Sequence, residues 1–195
     1  DLSSAAGLLA AAALRPGSEV SVQGVTLNPG RTGFLDILEA MGARVTRVAT
    51  ALLHGDPVGD VVVAGAGLRG ITIDGSLSVR AIDELPLVAV LGAAAEGATV
   101  VAGAAELRLK ESDRVAATVR LIRALGGAVE ERPDGFVVRG TGGLAGGSAD
   151  AGGDHRIAIA AAVAAAVAPE VAVEGFEAVA VSWPGFGEAL EAMWS

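Results

Sequence analysis

The sequence has no cysteine, few aromatic residues (3%) and only two histidines, His54 and His155. The missing cysteine excludes disulfides, thiolate metal sites and a cysteine nucleophile together. Two histidines far apart in sequence argue against a histidine-based metal centre, and no metal is expected. Cationic charge is also scarce: 14 Lys and Arg stand against 23 Asp and Glu, a net charge of -9 and a pI near 4.7. A nucleic-acid partner needs a basic face and is not expected. A small anionic substrate stays open, since a local cationic pocket can sit in an acidic protein. The longest apolar run, residues 157–168, is too short to span a bilayer. No basic leader precedes Asp1, so the chain reads as soluble and cytoplasmic. Residue 1 already stands at a helix start, so it also reads as a piece of a longer chain.

What is abundant is small and apolar. Hydrophobic residues make up 52% of the chain, mostly Ala, Val and Leu, beside 28 Gly. Length and composition suit a single domain over 1–195 whose elements pack closely on small side chains. Asp1-Leu2-Ser3-Ser4 precedes an apolar helix at 5–14, ended by Arg15-Pro16-Gly17. A strand follows at 19–25, a turn at Asn28-Pro29-Gly30, and a helix at 34–41 stopped by Gly42. Strands are expected at 44–49 and 60–63, with His54 in a surface loop between them. Gly65-Ala66-Gly67-Leu68-Arg69-Gly70 matches the dinucleotide fingerprint literally, but Ile71-Thr72-Ile73-Asp74 continues as a strand where the fingerprint needs a helix, so a loop is expected. Asp83-Glu84-Leu85-Pro86 opens a helix at 87–95, followed by a strand at 99–102. A hairpin is predicted at 128–131 and 136–139, and a mobile Gly-rich loop at 140–153. Asp154 opens a third Ala-rich helix at 157–168, before a strand at 171–174 and a last helix at 186–193. Trp183 and Trp194 are expected to pack that last helix.

Three times, then, an Asp opens a small-residue helix, followed by a strand and an amphipathic helix. The openings at Asp1, Asp83 and Asp154 are roughly 70–80 residues apart, too long for a solenoid unit. Three βαβαββ-like units about a pseudo-threefold axis fit better, at roughly 1–75, 76–150 and 151–195, the last incomplete. This α/β (α+β) arrangement has buried helices and sheets outside. It brings three positive helix ends to one surface, which favours anions.

Charge concentrates at that same end. Glu106-Leu107-Arg108-Leu109-Lys110-Glu111-Ser112-Asp113-Arg114 carries six charged residues in nine. An apolar helical pattern follows through Val115, Val119, Ile122 and Leu125, so Ser112 or Asp113 opens a helix with Lys110, Glu111 and Arg114 at its start. Alone, such a stretch also reads as a charged helix start with surface ion pairs. Together with Asp83 and Asp154-His155-Arg156 it supplies a base candidate, an acid candidate and several cations for proton-assisted chemistry on anionic substrates.

Leu109–Arg114, Asp154-His155-Arg156-Ile157-Ala158, Ile82-Asp83-Glu84 and Leu27-Asn28-Pro29-Gly30-Arg31-Thr32-Gly33 together resemble motifs of the 5-enolpyruvylshikimate-3-phosphate synthase family. The resemblance runs along the whole chain in order and matches only the C-terminal half of that two-domain enolpyruvyl transferase. It implies transfer of the enolpyruvyl group of phosphoenolpyruvate to the 5-hydroxyl of shikimate 3-phosphate, through a tetrahedral intermediate that loses phosphate. No cofactor is implied, and the partner is the missing N-terminal half, without which the chain is expected to be inactive. By resemblance, Asp83 takes the hydroxyl proton, Glu111 exchanges protons with the phosphoenolpyruvate methylene carbon, and Lys110 sits between the substrates. Arg114 and Arg156 clamp phosphoenolpyruvate, His155 lines its site and Asp154 orients neighbours. Arg31 reads equally as packing, an ion pair or a substrate contact. Some members carry Asn in place of Glu106 and Lys in place of Val181; this chain resembles those that lack both, which have reduced sensitivity to the competitive inhibitor glyphosate. Two other readings share the fold: an enolpyruvyl transferase acting on UDP-N-acetylglucosamine, and a non-catalytic anion-binding module. The Lys-Glu-Ser-Asp-Arg and Asp-His-Arg runs favour the shikimate enzyme over the first. The presence of Asp83, Lys110 and Glu111 argues against the second.

Overall fold

The structure, a computed structural model, describes residues 1–193. Three helices organise it. The first, α1 (Leu2–Leu14), starts where the Asp1 carboxylate accepts the Ser3 N–H at 3.4 Å. It is Ala- and Leu-rich, free of β-branched residues and buried nearly all round. Its counterparts are α4 (Leu85–Ala94), as apolar, and α6 (His155–Ala164), apolar after its first two residues, and the three pack against one another. Small residues make this possible. A Cβ on Gly7 would lie 2.7 Å from the Phe186 ring, so the last helix, α7 (Phe186–Ala192), rests directly on α1. Each fully buried Leu, Ile or Val in this centre contributes about 1.5–3 kcal/mol. Gly7→Val would force Phe186 out of its place.

Sheets lie outside the helices. Strands β1 (Glu19–Thr26), β2 (Arg44–Leu53) and β3 (Asp56–Ala64) form an antiparallel sheet in the order β1-β3-β2, beside α2 (Gly33–Met41). A second sheet has the order β4-β5-β7-β6, with β4 (Thr72–Ile73), β5 (Ala98–Val101), β6 (Ala128–Arg132) and β7 (Gly135–Arg139). The third pairs β8 (Gly147–Asp150) with β9 (Val171–Glu174). The β4/β5 and β8/β9 pairs are parallel, so each needs a crossover, supplied by α4 and α6 respectively. Two further helices, α3 (Gly75–Arg80) and α5 (Arg114–Ala124), complete the fold. No described helix is long and apolar enough to cross a membrane.

Several expectations need correction. The loop predicted around His54 is a tight turn: β2 and β3 run on to a hairpin whose two central residues, His54 (φ 52°) and Gly55 (φ 92°), take positive φ. Residues 48–53 are exposed and do not alternate, and Pro57 sits in β3, so no strand period marks them. The Gly-rich stretch predicted as a mobile loop contains β8, whose partner β9 lies beyond a whole helix in sequence. Gly146 lets that strand approach: a Cβ there would lie 2.4 Å from the Glu170 carbonyl oxygen. Helix α6 stops at Ala164 rather than at 168, and α3 was not anticipated. Asp83 does not cap α4. It lies in a 3-10 turn, Ile82–Glu84, which leaves its carboxylate free to face elsewhere. Residues 65–70 are a loop into β4, as their context implied. Trp194 lies outside the described residues.

Candidate active site

The charged stretch divides into a structural part and a part that faces the helix ends. Leu107 is buried and pins a 3-10 turn, Ala105–Leu109, leaving Leu109 exposed. Arg108 turns away: its guanidinium donates to Asp113, Glu131 and the carbonyls of Arg132 and Pro133, tying the turn to the β6–β7 hairpin. Asp113 then caps α5 by accepting the Ala116 N–H at 3.0 Å. Burial pushes the Asp113 carboxyl up, but that N–H and Arg108 outweigh it and hold the group below its ordinary value. Lys110, Glu111 and Ser112 are thereby held in the bend between turn and helix.

Arg114, the first residue of α5, is the centre of the cluster, with a side chain only 2% exposed. Its Nε and Nη2 donate to the two oxygens of Asp154 at 2.8 and 3.2 Å, a two-pronged bond between planar groups. Nη1 donates to Asp83 Oδ1 at 3.2 Å, and Nη2 also lies 2.6 Å from Glu111 Oε2. Asp154 caps α6 through the Arg156 N–H at 2.9 Å and accepts the Ser112 hydroxyl at 2.8 Å. Burial pushes the Asp154 carboxyl up, yet the bonds from Arg114 and Ser112 and the Arg114 charge overcome this and hold it below the usual range. Lys110 Nζ lies 3.5 Å from Asp83 Oδ1 and 3.4 Å from Glu106 Oε1. Asp83 therefore has two cations beside it.

Arg156, in the first turn of α6, is held differently. Its Nη1 donates to the Ser3 carbonyl at 3.3 Å and lies 3.5 Å from Glu84 Oε1. His155 is half-buried; burial first, then the Arg156 and Arg114 charges, hold its imidazole below the ordinary value. Arg31 is exposed and reaches the Ser3 hydroxyl at 3.5 Å, so among the described residues it makes a polar contact within the protein.

The structure thus links Asp83, Lys110, Glu111, Arg114 and Asp154 into one chain of contacts. Arg156 joins it through the Asp154 cap, and His155 lies between. Sequence reasoning missed Ser3, Glu84 and Ser112. Each is adjacent to or inside a motif already marked, but only tertiary packing shows what its side chain meets. Among the described residues no group of three His, Asp or Glu side chains is placed to hold a metal ion.

Comparison with known proteins decides the family. The family model described as EPSP synthase (3-phosphoshikimate 1-carboxyvinyltransferase) matches residues 1–190. The chain belongs to the EPSP synthase family. Curated relatives named 3-phosphoshikimate 1-carboxyvinyltransferase include one from Herpetosiphon aurantiacus, 51% identical over 95% of this chain and 43% of its own length. Another, from Desulforudis audaxviator, is 46% identical over 99% of this chain and 45% of its own. An EPSP synthase structure from Acinetobacter baumannii superposes with a TM-score of 0.94 at 36% identity, covering 99% of this chain and 45% of that one. The enolpyruvyl transferase NikO from Streptomyces tendae, at 22% identity and a TM-score of 0.74, shares the fold. The chain spans about half the length of the curated relatives it matches.

Proposed function

We propose that this EPSP synthase domain supplies one wall of an active site in the cytoplasm that transfers the enolpyruvyl group of phosphoenolpyruvate to the 5-hydroxyl of shikimate 3-phosphate. The other wall belongs to the N-terminal half of the same enzyme, and the domain is built of three repeat units near 1–75, 76–150 and 151–195. The observation that carries this reading is the convergence of Asp83, Lys110, Glu111, Arg114, Asp154 and Arg156 at neighbouring helix starts.

In this reading Asp83 takes the proton of the attacking hydroxyl, which adds to C2 of phosphoenolpyruvate while Glu111 delivers a proton to its methylene carbon. The tetrahedral adduct then returns a methyl proton to Glu111 as its C–O bond to phosphate breaks; inorganic phosphate leaves with the proton held by Asp83, and the new double bond makes the product an enol ether. Lys110 stabilises negative charge on the oxygens between the two substrates. Arg156 binds the anionic groups of phosphoenolpyruvate, and a neutral His155 lines the same site. Arg114 contributes differently, because its fork is engaged by Asp154. It meets an anion only where the Glu111 or Asp83 contact opens.

Turnover is expected to need both walls, since closure around the substrates excludes water and strengthens every charge on this surface. The test is phosphate release from phosphoenolpyruvate and shikimate 3-phosphate. The chain alone should release none, and the chain with an N-terminal half from a relative should turn over. Release by the chain alone would overturn the requirement for a second wall. Release only with UDP-N-acetylglucosamine as acceptor would overturn the assignment of substrate.

A further inference from the structure

Glu84 is a buried carboxylate that the chemistry above does not use. It is 4% exposed, at the last position of the turn before α4. It accepts the Ser3 hydroxyl from the first turn of α1, and it lies 3.5 Å from Arg156 Nη1 in the first turn of α6. Arg31, from the loop before α2, reaches the same Ser3 hydroxyl. Burying a carboxylate is costly, and a well-packed apolar side chain would serve stability as well or better. Burial is the largest influence on its titration and pushes it up, opposed only in part by Ser3 and Arg156. Its use lies in what it holds. Nη1 of Arg156 is fastened to Glu84 and the Ser3 carbonyl, while Nε and Nη2 make no hydrogen bond to any described residue. That remaining edge is the one that meets a carboxylate or phosphate with two parallel bonds.

We propose that Glu84 is a positioning residue that, together with Ser3, fastens the Nη1 corner of the Arg156 guanidinium and so presents its Nε–Nη2 edge to an anion. That the anion is phosphoenolpyruvate rests on the function proposed above; the fastening does not. The two are read separately in the 195-residue chain by NMR of the Arg156 side-chain Nε–Hε group, assigned by its loss in Arg156→Lys. In the parent chain this group should be ordered and should shift on titration with inorganic phosphate and with phosphoenolpyruvate. Glu84→Gln keeps an acceptor for Ser3 and removes the charge. It should melt close to the parent, lose Arg156 order and need on the order of tenfold more phosphate for the same shift, as misplacing a binding group does. Arg156 as ordered and as responsive in Glu84→Gln as in the parent would overturn the proposal. If Glu84→Gln does not fold, Ser3→Ala, which deletes one hydroxyl, should loosen Arg156 in the same direction; unchanged order there overturns it equally. An ordered Arg156 that Glu84→Gln loosens, and that phosphate shifts but phosphoenolpyruvate does not, would support the proposal and overturn the substrate assignment; one that neither anion shifts would overturn the presentation of the edge.

Discussion

Arg114 and Arg156 approach the same helix ends from α5 and α6, and the sequence marks them alike, each directly after an acidic or histidine-bearing motif. Their surroundings differ. The Arg114 fork is closed by Asp154, and its remaining corner and edge meet Asp83 and Glu111. The Arg156 fork is open, with one corner fastened. A guanidinium enclosed by carboxylates is an organiser: it fixes where Asp83, Glu111 and Asp154 stand, and removing it leaves buried negative charge. A guanidinium with a free edge is shaped to take a carboxylate or phosphate. The same residue type at two neighbouring helix starts thus has two kinds of surroundings, set by whether a carboxylate occupies the fork.

The widest separation should appear in stability. Arg114→Ala should lower the free energy of unfolding by about 3–5 kcal/mol, because the buried Asp154 loses its counter-charge. Arg156→Ala leaves the buried Glu84 with the Ser3 hydroxyl alone, but that carboxyl already titrates above its ordinary value and can take up a proton, so the cost should be smaller, about 2 kcal/mol. Urea unfolding of the two variants measures this, and equal losses would break the distinction. Next in size is the chemistry proposed for the carboxylates that Arg114 holds. In a two-domain enzyme carrying this sequence, Asp83→Ala and Glu111→Ala should each lower kcat by roughly 10²-fold, as for a general acid or base. Near-normal turnover in both would remove them from catalysis. A smaller effect concerns the open fork. Arg156→Lys keeps the charge and loses the paired bonds, so KM for phosphoenolpyruvate should rise about tenfold with KM for shikimate 3-phosphate little changed. Equal changes in both constants would make Arg156 a fold or closure residue.

The three central helices and most strands were legible in the sequence because their signals are local: Asp1 and Asp154 as caps, Ala runs, Gly42 as a stop. The clustering of Asp83, Lys110, Glu111, Arg114 and Asp154 was legible for the same reason, since each stands at or just before a helix start at one end of the fold. What the sequence hid depends on partners distant in the chain. Strand β8 is Gly-Ser-Ala-Asp, with no strand pattern until β9 pairs with it. Glu84 reads as an ordinary helix-start acid until α1 and α6 close over it. The division between Arg114 and Arg156 is of this kind too. Nothing in Ser112-Asp113-Arg114 says that Asp154 will fill one fork, or that Glu84 will hold only a corner of the other.

The smallest expected separation is in acid stability. Asp154 titrates below its ordinary value of 3.8 in the folded chain: burial alone would raise it, but Arg114 and Ser112 prevail. The unfolded chain therefore binds this proton more readily, so the stability Asp154 lends is complete above the ordinary carboxylate pKa and is lost as pH falls through the folded value. Glu84 runs the other way. Burial pushes it up and the Asp83 charge adds to that; Ser3, Arg156 and Arg31 oppose without prevailing, so it titrates above its ordinary value of 4.5. Its folded state takes the proton first, so acidification relieves the cost of its buried charge before Asp154 begins to titrate. Melting temperature should accordingly hold or rise slightly as pH falls toward about 4, and drop below it. Arg114→Lys, which keeps a charge but no fork, should make that final drop shallower by raising the folded pKa of Asp154, whereas Arg156→Lys should leave the drop as it is. Melting curves from pH 7 to pH 3 measure the difference, and an acid limb that Arg156→Lys flattens as much as Arg114→Lys would show that the two arginines share one network after all.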